Sequence, residues 1–260
     1  MDDITPYLHK ACRIVAADSH QLLAIYKKEN VLTHPNTPSC DNQALCQLPY
    51  DFDQQGYCLG EGRYLFILNR LDSPVSGILL ATTQRKVAES VRHSFKSKLP
   101  QKHYWALVKG FPIASHGCWR SRLQKQTHGK KFKIYSGQGE WAETRFERLF
   151  HFKCHNLTLS LLKLSPITGR THQLRIHCAE NHLPIVGDAT YGDVAFNNLI
   201  RKWSGSSRLC LHSYEISVPY TLEGRTSTFH VSVAQNLPYP ELLEQLDFFI
   251  PKSDLENEKS

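Results

Sequence analysis

The sequence predicts an α+β fold built on a mostly antiparallel, mixed β-sheet with flanking helices and loops and a catalytic cleft across the sheet. Three observations carry that expectation. Short apolar or alternating runs bounded by Gly, Pro, Asn and Asp outnumber stretches with helical spacing. The helical stretches do not alternate with the strands, so no βαβ rhythm emerges. With 260 residues, 41% of them hydrophobic and 21% charged, the chain can bury the sizeable core that such a sheet needs.

Arg13 to Tyr26 reads as two short strands about a turn at Asp18-Ser19-His20. Thr33 to Gly62, rich in Pro, Asn, Asp, Gln and Gly, reads as loop around one short helix. Arg63 to Leu68 is a strand that runs into a Pro74/Gly77 turn, and Ile78 to Thr82 is a compact buried strand. Lys86 to Lys98 places Val87, Ala88, Val91 and Phe95 at helical spacing, and His103 to Gly110 returns to strand. Ser121 to Glu140, with Gly129, Gly137 and Gly139, reads as hairpins or a surface excursion. Glu143 to Phe152 and Asn156 to Leu164 form a strand pair. Thr171 to Glu180 is a short helix with Leu174 and Cys178 on one face. Arg208 to Val218 and Thr226 to Val233 are strands, Pro238 to Phe249 is an amphipathic helix, and the charged last ten residues fray.

The formal net charge is +7, from 31 Lys and Arg against 24 acids, and this favours a polyanionic partner. The balance sharpens between Lys96 and Lys133. Lys96, Lys98, Lys102, Lys109, Arg120, Arg122, Lys125, Lys130, Lys131 and Lys133 fall there without an Asp or Glu. His103, Tyr104, Trp105, Phe111, Trp119 and Phe132 are interleaved, which suits phosphate contact and base stacking. For any one of these residues a solvated face or a core aromatic is an equal account. The eight cysteines contain no Cys-x-x-Cys pair and read as reduced, packed thiols, so neither disulfides nor a metal site is expected. No run approaches the roughly 20 apolar residues of a membrane span. Met1 to Pro6 lacks the apolar region of a secretion signal, so a cytoplasmic, membrane-free protein is expected, with monomer as the default state.

Three clusters carry chemistry. In Arg70-Leu-Asp-x-x-x-Ser-Gly77, Asp72 follows an apolar strand beside Arg70, and a neighbouring cation keeps a nucleophilic carboxylate ionised. A salt-bridged turn aspartate explains this cluster equally well when it is taken alone. In Lys102-His-Tyr-Trp-Ala-Leu-Val-Lys-Gly110, Tyr104 offers a ring to stack on a base and a hydroxyl to handle a proton, unless it is a core tyrosine. In Thr168-Gly-Arg-Thr-His-Gln-Leu-Arg-Ile-His177 the polar density exceeds what packing needs. Helix-start amides with Arg170 can hold a phosphate, and Arg175 can pair with a distant carboxylate. His172 and His177 are five apart and lack a third ligand, which speaks against zinc.

In this order and spacing the clusters resemble the RluA family of pseudouridine synthases. The family patterns are His-Arg-Leu-Asp-x-x-Thr-Ser-Gly, Lys-x-Tyr-x-Ala-x-Val-x-Gly and Gly-Arg-x-His-Gln-[hydrophobic]-Arg-x-His. Lys27 through His34-Pro35 is similar to an early Lys-Pro-x-Gly-x-x-x-His segment. Pro184-Ile-Val-Gly-Asp188 with Tyr191-Gly192 resembles Pro-[apolar]-x-Gly-Asp…Tyr-Gly, and Arg208-Leu-Cys-Leu-His-Ser213 resembles Arg-x-x-Leu-His-Ala. The likeness runs from about residue 12 to about 245. It leads us to expect one catalytic domain over 12–248, with extensions at 1–11 and 249–260 and no N-terminal RNA-binding domain. Asn69 stands where the family has His, Val75 where it has Thr, Lys28 where it has Pro, and Asn30 where it has Gly.

The resemblance implies isomerisation of uridine to pseudouridine in tRNA or 23S rRNA, with no cofactor, no metal and no DNA substrate. It implies Asp72 as nucleophile, Tyr104 as the group that takes the C5 proton and Arg175 as partner of Asp72. Leu211 is a candidate wall of the uracil pocket, or a core leucine. Arg70, Arg170, His172 and Gln173 are candidates for phosphate contact or loop shaping. The alternative is a catalytically silent RNA-binding protein or RNA chaperone on the same fold, for which Asn69 is the only foothold. A metal-dependent nuclease or deaminase would need clustered ligands that the sequence does not offer.

Overall fold

The computed structural model describes residues 4–37, 41–128, 131–154, 157–234, 239 and 242–243. The chain forms two compact units, one from residues 1–102 and 213–233, the other from 103–212 and 234–260.

In the first unit, strands β1 (Cys12–Ala17) and β2 (Leu22–Lys27) form the expected hairpin, with Asp18 Oδ1 accepting the N–H groups of His20 and Leu22 in the turn. Strand β3 (Tyr50–Asp51), β4 (Gly56–Gly60), β5 (Arg63–Ile67) and β6 (Ser76–Thr82) follow, then helix α1 (Arg85–Lys96). Strand β12 (Leu211–Leu222) begins in the second unit and runs into this one, where β13 (Arg225–Ser232) pairs with it. The strand order here is β3-β4-β5-β6-β12, with β2 also on β6. All seven residues of β6 are buried, because both faces of the sheet are covered. Ile78 and Leu80 join Leu22, Phe66, Ile216 and the apolar stripe of α1 on one side. Leu79 and Ala81 join Leu23, Ile25, Leu45, Tyr57 and Leu65 on the other. This pattern overturns the helix expected within Thr33–Gly62. Among the described residues that segment instead supplies β3 and β4, because Tyr50 and Tyr57 pack into the second face and pair with their neighbours across the strands.

The second unit is an antiparallel sheet in the order β7-β11-β10-β8-β9. Its strands are β7 (Gln101–Lys109), β8 (His116–His128), β9 (Lys131–Ser136), β10 (Glu140–Cys154) and β11 (Leu157–Pro166). The expected surface excursion over Ser121–Glu140 is thus the long β8–β9 hairpin. Cross-strand partners share a face. Tyr104 opposes Leu164, which opposes Phe146, and alternation along β10 and β8 adds Thr144, Ala142, Trp119, Ser121 and Leu123 to that side. Helix α2 (Gln173–Glu180) packs there, through Ile176 against Leu123, Ile134 and Ala142. The opposite side carries Arg120, Arg122, Trp141, Glu143, Arg145 and, on β9, Tyr135. Helix α3 (Val194–Ser204) was not foreseen, although its ends were legible: Asp193 accepts the N–H of Phe196, and Gly205 closes the helix in the left-handed region. The helix expected over Pro238–Phe249 falls mostly outside the described residues, with one helical turn at Leu242–Leu243.

Candidate active site

Asp72 lies between β5 and β6 of the first unit, in a loop whose main chain is bonded on both sides of it. Asn69 Oδ1 accepts the N–H of Leu80 at 2.6 Å, so its side chain extends the strand pairing by one bond after β5 ends. Thr33 Oγ1 accepts the Leu71 N–H (3.2 Å) and donates to the Leu71 carbonyl (2.8 Å). The Asp72 carbonyl accepts from Val75 N–H, and the Ser73 carbonyl from Asn30 N–H (2.8 Å) and Lys27 Nζ (3.0 Å). Lys27 is fully buried, and its ammonium also donates to the carbonyls of Lys28 and Val31. Burial pushes its pKa down to about 8, against the opposing pull of Cys12, Asp72 and Glu29. The cation buried next to Asp72 is therefore Lys27, whereas Arg70 is exposed and its charge bears on the Tyr50 hydroxyl. Gly77 closes the loop at φ +121°, and a Cβ there would collide with the Ser213 main chain. The Asp72 side chain itself stays half-exposed.

The other candidates belong to the second unit. Tyr104 is buried on β7, on the sheet face that α2 covers. Gln173 opens α2 and ties its turn together: Nε2 donates to the Glu143 carbonyl and Thr144 Oγ1, and Oε1 accepts from Thr168 Oγ1 and the Arg170 N–H. His172, at φ +56°, bonds the Tyr191 hydroxyl at 2.8 Å. Arg170 pairs with Glu140 (2.7 Å) and donates to the Trp141 carbonyl. These three shape the loop, and Arg170 spends charge on Glu140.

Arg175 does pair with a distant carboxylate. Its Nε and Nη2 meet Asp188 Oδ2 and Oδ1, each at 2.8 Å, and its guanidinium stands 5.1 Å from the centre of the Tyr191 ring. Burial pushes the Asp188 carboxyl up, yet the bonds from Arg175 and from the Tyr191 and Thr190 N–H groups hold it below the usual carboxylate range. Gly187 makes the turn before Asp188 at φ +76°, where a Cβ would strike the Arg208 carbonyl. His177 is bonded to Thr144 and Ser121, and burial pushes its pKa down to about 4. Leu211 is buried at the start of β12, next to His212, whose pKa burial pushes down to about 3. Sequence reasoning missed the roles of Lys27, Thr33, Asp188 and Tyr191, although all four lay within the quoted motifs.

The profile for RNA pseudouridylate synthase matches residues 21–180. The chain belongs to the RluA family of RNA pseudouridine synthases. It is 34% identical over 175 residues to ribosomal large subunit pseudouridine synthase C of Haemophilus influenzae, covering 66% of this chain and 53% of that protein. It is 31% identical over 207 residues to ribosomal large subunit pseudouridine synthase D of Borreliella burgdorferi, covering 79% and 60%. To the dual-specificity RNA pseudouridine synthase RluA of Haemophilus influenzae it is 29% identical over 236 residues, 87% of this chain and 94% of that one. The chain thus spans about half the length of the synthase C relatives that it matches. The fold is that of human RNA pseudouridylate synthase domain containing 4, with a TM-score of 0.65 at 22% identity and 95% coverage of both chains. Measured against the RluA-family pattern, the Asn69 departure acquires a local reason, since its carboxamide is used inside the sheet of this chain. Among the described residues no helix is long and apolar enough to cross a membrane.

Proposed function

We propose that this protein isomerises uridine to pseudouridine in RNA, with Asp72 as nucleophile. The observation that carries the reading is the Asp72 loop, where the main chain on both sides of Asp72 is bonded and the residue itself is only partly buried. A group that must attack a substrate needs that combination of a fixed origin and an accessible oxygen. The target uridine flips out of its RNA so that Asp72 can reach it. Asp72 promotes rupture of the bond between N1 and C1′, by attack at the base or at the ribose. The freed uracil turns, C5 bonds to C1′, and the C5 proton leaves to Tyr104. N1 takes up a proton as C5 gives one up, so the isomerisation is redox-neutral, and no cofactor is proposed. Arg175 orients Asp72, Leu211 borders the uracil, and Arg70, Arg170, His172 and Gln173 serve phosphate contact or the shape of their loops. The substrate class is ribosomal or transfer RNA, as the names of the relatives have it, and residues 12–248 act as one catalytic domain.

The test is tritium release from RNA labelled at uracil C5, because the isomerisation sends that hydrogen into water. Wild type is expected to release tritium and yield pseudouridine on nucleoside chromatography. Release by Asp72→Asn at the wild-type rate would overturn the assignment.

A further inference from the structure

The second unit's sheet has a side that the proposed chemistry does not use. Tyr104 and α2 occupy one face; the other, on β8, β9 and β10, is open over much of its area. Trp141 is 45% exposed there and Tyr135 38%, both large rings left open on a strand face that no helix covers among the described residues. Trp141 opposes Arg122, while Tyr135 opposes Gln124, the next residue on that face of β8. The two residues are therefore offset by two strand spacings and two positions along the strand, about 12 Å between their backbones. Arg120 and Arg145 lie on the same face, and Lys133, on the edge strand, holds its Nζ 5.4 Å from the centres of both the Tyr135 and the Tyr191 rings. The acids on this face are Glu143, already bonded to Arg120 and Cys118, and Glu147 at the far end opposite His116. Arg122, Arg145 and Lys133 leave the surface net positive after the Arg120–Glu143 pair is discounted.

We propose that this reverse face is a second RNA-binding surface, which takes an unpaired stretch of the substrate RNA away from the target uridine. The proposal rests on the RNA reading above and extends it to the face of this sheet opposite Tyr104. Exposed rings on a sheet bind bases by stacking, which needs bases that are not paired. Arg122 between the rings and Arg145 beyond Trp141 offer guanidinium groups that match phosphate oxygens in two-point contacts. A duplex would offer these rings no base faces, and an acidic protein surface would leave both rings unused.

The experiment uses a fluorescein-labelled twelve-nucleotide oligoadenylate, which has no uridine to enter a catalytic site, and reads its binding to the full chain by anisotropy across a salt series. Trp141→Ala is expected to weaken binding about tenfold, within the range of one lost base stack. Arg122→Ala/Arg145→Ala is expected to lower the salt slope by about 1.4, the counterion release of two phosphate contacts on a single strand. The charge-matched double variant Lys86→Ala/Arg225→Ala, on the first unit, should bind like wild type. Unchanged binding by the face variants, equal loss in the control, or no binding by wild type would each overturn the proposal. All substituted side chains are exposed, and circular dichroism shows whether each variant is folded. Absence of tritium release by wild type would sink the synthase reading alone, because oligoadenylate binding judges the surface without any turnover.

Discussion

The Asp72 loop and the Arg175 turn hold their key residues in opposite ways. Around Asp72 the protein bonds the main chain: Thr33 takes both polar groups of Leu71, and Lys27 with Asn30 takes the carbonyl of Ser73. Asp72 itself is only partly buried. Around Arg175 the protein bonds the side chain itself, with two contacts to a carboxylate that is also held by two N–H groups of its own turn. Only 5% of Arg175 is accessible. The first arrangement suits a group that reacts, and the second suits one that must not move. Asp72 and Asp188 are thus different instruments, although both are aspartates beside a buried cation.

That difference makes the two aspartates separable. Asp72→Asn should lower tritium release by about three orders of magnitude or more, while its melting temperature stays near wild type. Asp188→Asn should do the reverse in kind: it leaves a buried guanidinium without its counter-charge and costs about 3–5 kcal/mol of stability, read by urea unfolding. Two variants with equal loss of stability would erase the distinction.

A smaller effect distinguishes the regions by pH. His177 belongs to α2, and its folded pKa of about 4 lies below the 6.5 of an unfolded histidine. Between these values the unfolded chain binds the extra proton, so stability present above pH 6.5 is lost as pH falls towards 4. The loss from this residue is about 2 kcal/mol by pH 5, at about 1.4 kcal/mol per pH unit. His212 adds to it in the same direction. Unfolding midpoints at pH 7 and pH 5 should differ less in His177→Gln; an unchanged difference would remove His177 from the account. The smallest effect falls on the Asp72 side. Thr33→Val keeps the shape but deprives Leu71 of its partner, at about 1 kcal/mol. Turnover should fall several-fold, and Thr33→Ser should restore it. If serine fails to restore it, the hydroxyl is not what positions the loop.

Much of this was legible in the chain, but unevenly. Asp72, Tyr104 and Arg175 stand in compact motifs whose chemistry is local in sequence. Their supports are not local. Thr33 meets Leu71 from 38 residues away, and Asp188 meets Arg175 from 13. Such pairings depend on strand register and turn geometry that no periodicity reveals. The segment from Thr33 to Gly62 read as loop and helix because its polar turn residues outweighed two short strands that only tertiary pairing stabilises. The basic stretch from Lys96 to Lys133 was visible as composition, yet the sheet sorts it. Lys109 pairs with Asp193, Trp119 turns inward onto Phe146, and Arg120 and Arg122 turn outward opposite Glu143 and Trp141 of a strand outside the stretch.

The central claim is that this chain makes pseudouridine and that Asp72 does the work. Carbodiimide mapping of pseudouridine in total RNA tests it most directly, in cells that lack the protein and in the same cells given wild type or Asp72→Ala. The account predicts that at least one site disappears, returns with wild type and stays absent with Asp72→Ala. A site restored equally by Asp72→Ala would contradict it.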